Sequence, residues 1–175
     1  LVGSLILNYA LEGRQKRFIK GAFRQYLSPH VIENILRDPD HLKLGGETRE
    51  LTIYFSDIQG FTTISEALTA QDLTSLLNEY LSAMTDIILD DGGTLDKYEG
   101  DAVIAFWNAP LAQEDHAVRG VRSALLCQQR LAEMRPALKS KYGKDIIVRI
   151  GMNTGKVVVG NMGSTRRFNY TFLGD

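Results

Sequence analysis

The sequence predicts an α+β domain in which two helices cover one face of an antiparallel sheet, and three observations carry that prediction. Leu51, Ile53 and Phe55 alternate with Thr52 and Tyr54, the period of a half-buried strand. Leu73, Leu76, Leu77, Tyr80, Leu81, Met84, Ile87 and Ile88 recur at spacings of three and four, one continuous helical stripe. Thr94 to Trp107 divides into two strands at Glu99-Gly100, where glycine supplies the backbone freedom of a tight turn. With a second long helix after Pro110 and a further strand from Ile146, the order becomes strand, helix, strand, strand, helix, strand. That is the ferredoxin-like, split βαβ arrangement, with a β extension added after Val157.

The chain has 175 residues, a net charge of −1 and 44% hydrophobic residues, enough to build one globular core. Nothing in that balance points to a nucleic-acid binder. Cys127 has no partner within the chain, which fits a reducing compartment; its place in a helical pattern makes it a small core residue. Leu1 to Leu11 is mostly apolar but far short of the about 20 residues that span a bilayer. Arg14, Lys16, Arg17, Lys20 and Arg24 follow at once, as on the cytoplasmic side of a membrane helix. An amphipathic helix pairing with a partner explains the same residues, so residues 1–45 read as the end of a membrane segment plus basic linker helices. Ser28-Pro29 caps a short helix through Leu36, and Asp38 to Gly46 reads as a linker. His30 and His41 belong to this joining region and lack other ligands at metal spacing.

Residues 46–175 form the second region. Its first helix stops at Asp90-Asp91-Gly92-Gly93, whose aspartates read as solvated loop carboxylates. The second long helix, Glu114 to Arg135, is expected to turn Val118, Val121, Leu125 and Ala132 inward and to end or kink at Pro136. His116 is expected at the surface, and Trp107 in packing.

The stretch FSDIQGFTTISE, Phe55 to Glu66, concentrates the chemistry. Asp57 falls at the carboxyl end of a strand, Gly60 lets backbone approach a bound group, and free N–H groups opening the next helix favour phosphate oxygens. Taken alone, such an aspartate is ordinarily a turn former or N-cap. Asp101 changes that reading. If the strand after Gly100 lies antiparallel to Leu51–Ser56, Asp57 and Asp101 come side by side. Two adjacent carboxylates with a phosphate-bearing substrate suit Mg²⁺ or Mn²⁺.

FSDIQGFT, KYEGD, RIGMNTGKVVVGNMG and YTFLGD, in this order, resemble the catalytic domain of class III adenylate cyclases of the bacterial, membrane-anchored type. The resemblance covers about Arg49 to Asp175. It implies an adenylate cyclase that makes 3′,5′-cyclic AMP and pyrophosphate from ATP in signal transduction. It also implies that Asp57 and Asp101, with the backbone of Ile58, hold two divalent cations, Mg²⁺ or Mn²⁺. One lowers the pKa of the ribose 3′-hydroxyl and the other neutralises the triphosphate. Ile58, Gly60, Phe61 and Thr62 would cradle phosphate oxygens, and Arg149 matches the triphosphate-binding arginine. Lys97 and Thr171 fall where the family reads the purine. Lys97 can donate to adenine N1 and Thr171 can accept from the N6 amino group, whereas a guanine reader would be expected to carry an acid at position 97.

The resemblance further implies a head-to-tail homodimer, with Asp57, Asp101 and Arg149 from one protomer and Lys97 and Thr171 from the other. The N-terminal helices would transmit the state of an upstream sensor region, from a catalytic domain tethered to the cytoplasmic face of the inner membrane. The family pattern continues past YTFLGD into an asparagine, an arginine and a lysine that act on the transition state and the terminal phosphates. None lies within these residues, so the chain as it stands is expected to fold incompletely or to be inactive. A guanylate cyclase is the alternative within the enzyme class, and a non-catalytic dimerisation or nucleotide-sensing module the alternative outside it. The glycine and acidic signature loop of a diguanylate cyclase is missing.

Overall fold

The computed structural model describes residues 45–164 and 167–174. The apolar start, the basic run, the Ser28 helix, His30, His41 and Asp175 lie outside the described residues. Five strands and three helices follow in order. They are β1 (Gly45–Ile58), α1 (Phe61–Ala67), α2 (Ala70–Asp90), β2 (Thr94–Glu99), β3 (Ala102–Trp107), α3 (His116–Tyr142), β4 (Val148–Ser164) and β5 (Arg167–Leu173). The sheet order is β2-β3-β1-β4-β5, antiparallel at every pairing. This is the expected split βαβ sheet with β5 added beyond β4.

β1 is the central strand, and both of its faces are covered. Tyr54 and Ile58 join Val103, Ala105, Trp107 and Val148 in a core closed by Leu76, Tyr80, Met84, Ile88, Cys127, Leu131 and Leu138 from α2 and α3. The alternate residues form a smaller core, in which Leu51, Phe106, Val157 and Val159 pack with Ile53, Tyr170 and Phe172. Here β5 lays its aromatics over the sheet, with the Phe106 ring 6.1 Å from Tyr170 and 5.5 Å from Phe172. β1 begins at Gly45, so the expected linker gives way to strand before Gly46. β4 likewise runs far beyond Met152, as one strand of 17 residues.

α2 follows its stripe. Thr69 caps it by accepting from the Asp72 N–H at 3.1 Å, and Leu76, Tyr80, Met84 and Ile88 are buried. It ends where Gly92 takes φ 78° and the Gly93 N–H donates back to the Ile88 carbonyl at 2.8 Å. A Cβ at Gly93 would lie 2.8 Å from that carbonyl and 2.9 Å from Trp107, so the turn and the tryptophan need glycine there. Trp107 is fully buried, as expected for packing, and its Nε1 donates to the Asp91 carbonyl at 3.3 Å. Cys127 is buried beside the Met84 carbonyl, also as expected.

α3 departs from expectation in three ways. Val118, Val121 and Leu125 are 64%, 52% and 67% exposed, and Ala132 is exposed as well. The inner face consists of His116, Gly120, Ser123, Cys127, Leu131, Leu138 and Tyr142. Close packing chooses that phase. A Cβ at Gly120 would stand 2.7 Å from Met152 and 2.8 Å from Thr52, so this face accepts small residues where branched ones would clash. Pro136 does not end the helix, which runs on to Tyr142 and stops at Gly143, φ 67°. His116 is buried, not at the surface. Its Nδ1 lies 2.7 Å from Thr52 Oγ1, a hydrogen bond, and Thr52 Oγ1 also pairs with Thr154 Oγ1 at 2.8 Å. Asp91 is a further correction, since the carboxylate expected in solvent is buried. It accepts from Ser123 Oγ at 3.0 Å, from Arg122 Nε at 3.1 Å and from the other arm of the same guanidinium.

Candidate functional site

β1 and its two neighbours bring the first set of expected residues to one end of the sheet. Asp57 stands on β1 directly across from Arg149 on β4. Strand alternation puts both on the face away from the helices. The pair is bidentate, Arg149 Nε donating to Asp57 Oδ1 at 2.9 Å and an η nitrogen to Oδ2 at 2.6 Å. Both side chains are about half exposed. The Asp57 bonds, and then its charge, hold the Arg149 guanidinium above its ordinary pKa, with Asp101 adding to the effect.

Asp101 lies in the two-residue turn between β2 and β3, just ahead of the strand that it was expected to open. Its Oδ2 accepts from the Ile58 N–H at 2.6 Å, which ties the turn to the backbone immediately after Asp57. Asp101 thus lies at the end of β1 that carries Asp57, as the antiparallel pairing of β1 and β3 requires. Tyr80 senses both of them from the core. Burial above all, with added repulsion from Asp101 and Asp57, pushes its hydroxyl up to about 12. It stays protonated at neutral pH and offers no base.

Gly60 follows with φ 70°, a left-handed conformation that favours glycine, and caps α1. The Ile64 N–H is the first of α1 to bond back, to the Gly60 carbonyl at 3.2 Å. Phe61, Thr62 and Thr63 precede that bond. Phe61 packs against the main core, and Thr62 is exposed. The stretch from Ile58 to Thr62 thus follows directly on the end of β1 that carries Asp57, with its Ile58 N–H bonded to Asp101.

Lys97 and Thr171 form a second group on the opposite edges of the sheet order, on β2 and β5. What joins them is Asp96, which sequence reasoning missed. Thr171 Oγ1 donates to Asp96 Oδ2 at 3.0 Å, and Lys97 Nζ lies 4.0 Å from the same oxygen and 3.6 Å from Glu99 Oε1. The Asp96 side chain is only 3% exposed, whereas that of Lys97 is 49% exposed. The register of β2 against β3 slips between Leu95 and Lys97, so Asp96 is the extra residue of a β-bulge. An aspartate inside a predicted strand was the available signal, because strands are poor in aspartate.

The donor chemistry at Asp57 and Asp101 fits hard divalent cations. Among the described residues no group of three or more His, Cys, Asp or Glu could hold a metal unaided. Mg²⁺ asks for less, being held by one or two carboxylates and completed by water and substrate phosphates. A cation at Asp57 would compete with Arg149, which engages both oxygens. Arg149 is exposed, and a guanidinium that pairs a carboxylate in this way pairs a phosphate equally well.

A family model described as the adenylate and guanylate cyclase catalytic domain matches residues 46–175. Adenylate cyclase 1 of Rhizobium meliloti is 36% identical over 127 residues, covering 73% of this chain and 19% of that protein. The chain thus spans about a fifth of that relative. Among solved structures, the adenylyl cyclase CyaB from P. aeruginosa superposes with a TM-score of 0.72 at 39% identity, over 75% of this chain and 68% of that one. The guanylyl cyclase Cya2 superposes with a TM-score of 0.71 at 38% identity, over 75% and 66%. Similarity of this degree to cyclases of both specificities leaves the choice of base to the residues themselves.

Proposed function

The chain belongs to the adenylate and guanylate cyclase catalytic domain family, and from that premise we propose that it is the catalytic domain of an adenylate cyclase. Its reaction is the conversion of ATP to 3′,5′-cyclic AMP and pyrophosphate. The observation that carries the adenine reading is the ammonium of Lys97 set close to the Thr171 hydroxyl, across Asp96. Lys97 donates to the unprotonated N1 of adenine. Guanine carries a hydrogen there, and an ammonium meeting it would leave two donors face to face.

Asp57, Asp101 and the Ile58 backbone are the cation-binding groups, for Mg²⁺ or Mn²⁺, two per site. When bound, these cations supply acidity to the ribose 3′-hydroxyl and neutralise charge on the triphosphate. Arg149 leaves Asp57 for the triphosphate and stabilises the charge that develops as the 3′-oxygen attacks the α-phosphorus and pyrophosphate departs. The backbone from Ile58 to Thr62 faces the phosphates, with Gly60 allowing their close approach. Two copies of the chain complete the site head to tail, Lys97 and Thr171 of one reading the base of the nucleotide whose phosphates lie on Asp57, Asp101 and Arg149 of the other. Residues 1–45 carry the input from an upstream sensor and tether the domain to the cytoplasmic face of the membrane. Among the described residues no helix is long and apolar enough to cross a membrane, and the apolar Leu1–Leu11 lies outside them.

The guanylate reading draws its support from the likeness to Cya2. The test is cyclic nucleotide formation by the full-length protein from ATP and from GTP, with Lys97→Glu beside the wild type. Cyclic AMP from ATP, with preference moving toward GTP in the variant, is expected. Preference for GTP in the wild type would establish the guanylate reading instead.

A further inference from the structure

Threonine by itself does not choose between the purines. Its hydroxyl can accept from the N6 amino group of adenine or donate to the O6 carbonyl of guanine. The choice depends on where its one hydrogen points, and here that hydrogen has a partner. Asp96 Oδ2 lies 3.0 Å from Thr171 Oγ1, and the carboxylate, 3% exposed, has little access to water. A charge-assisted bond to a buried acceptor holds a hydroxyl rotor far more firmly than solvent does. With its hydrogen committed, Thr171 presents lone pairs alone to a ligand.

Resting on the base-reading role of Lys97 and Thr171 argued above, we propose that Asp96 is a positioning residue for purine selection. It takes the Thr171 hydrogen, makes that hydroxyl an obligate acceptor, and so favours the N6 amino group over the O6 carbonyl. The bulge supplies the geometry. Regular alternation sends Asp96 and Lys97 to opposite faces of β2, whereas the extra residue lets Asp96 reach β5 while Lys97 stays half exposed beside it. Burial raises the Asp96 pKa, and both the Thr171 bond and the Lys97 charge oppose that rise, so the contacts that need the ionised form also sustain it.

The test is the ratio of kcat/KM for ATP to that for GTP in the full-length protein. Because one enzyme sample turns over both nucleotides, the ratio is independent of how much of a variant is folded. Thr171→Val is expected to lower the ratio about tenfold, the scale of one hydrogen bond lost at a desolvated site. Asp96→Ala should lower it to a similar extent, and in the Thr171→Val background it should change it less than twofold. Should Asp96→Ala fail to accumulate, Asp96→Asn serves, since an amide both donates and accepts; about a threefold fall is expected.

If Thr171→Val lowers the ratio and neither Asp96 variant does, the proposal is overturned while the base-reading role stands. If neither Thr171→Val nor Lys97→Glu moves it, both fail together. An Asp96→Ala effect that persists undiminished without the Thr171 hydroxyl would place Asp96 on Lys97 alone and overturn the assignment.

Discussion

Asp91 sits where α2, β2 and α3 meet, and Asp91→Ala should cost the domain about 3 kcal/mol. Its carboxylate accepts from Ser123, which is fully buried, and from two nitrogens of Arg122. Truncation leaves the Ser123 hydroxyl unsatisfied, at about 1–3 kcal/mol for a buried polar group, and opens a small void. The Arg122 share is small, because that guanidinium is half exposed and keeps water as a partner. Side-chain bonds from Trp107 and Arg119 to the Asp91 backbone carbonyl survive the change. Urea unfolding of this chain, followed by tryptophan emission from Trp107, the one tryptophan in its 175 residues, reads the effect. With a slope of about 2 kcal/mol per molar, the midpoint should fall by about 1.5 M. Asp91→Ala/Ser123→Ala should be less destabilised than the sum of the single changes, because the second substitution removes the orphaned hydroxyl. A fall under 0.5 M, or simple additivity, would refute the reasoning that Asp91 is a buried tie and return it to the solvated loop.

Three further outcomes follow. Arg149→Ala should lower kcat/KM for ATP about 10- to 100-fold while shifting the divalent-cation titration to lower concentration, since Asp57 loses its competitor; metal and substrate titrations in the same assay check both directions. Inactive Asp57→Ala and inactive Lys97→Ala chains, mixed in equal amounts, should recover about a quarter of wild-type activity, because half the dimers are mixed and each carries one intact site of two; no recovery would argue against composite sites. Burial pushes the Cys127 thiol up to about 11. The thiolate is therefore scarce at pH 8, about one part in a thousand. Labelling of this single cysteine should track unfolding in urea, and rapid labelling of the native protein would contradict its place in the core.

The central sheet was legible because its strands are apolar runs and its turns are marked by glycine. Leu51 to Phe55 alternates, although the main core takes Tyr54 and Ile58 from β1 while Phe55 is 47% exposed, and Ala102 to Trp107 is apolar throughout; pairing the two antiparallel brings Asp101 to the end of β1 that carries Asp57. α2 was equally plain. α3 was not, because its inward face is built from Gly120, Ser123 and Cys127, which carry little hydrophobic signal, while Val118, Val121 and Leu125 advertise a stripe that faces outward. Close approach of a helix to a sheet is a tertiary demand, and local periodicity does not record it. The same limit hid the partners of Asp91 and His116, which lie 32 and 64 positions away in sequence. Asp96 escaped notice for a related reason. Its meaning comes from a bulge and from a threonine 75 residues later, and neither shows in the strand LDKYE.

The most direct test of the account is a cation-dependent assay of cyclic AMP formation from ATP by the full-length protein, comparing wild type with Asp57→Ala and Asp101→Ala under conditions that favour the dimer. Activity that requires Mg²⁺ or Mn²⁺ and falls at least about a hundredfold in each variant, with folding intact by circular dichroism, is the predicted result. Activity retained without either carboxylate, or no cyclic nucleotide from ATP or GTP by the wild type, would contradict a catalytic site at Asp57 and Asp101 and leave a nucleotide-sensing or dimerisation module in its place.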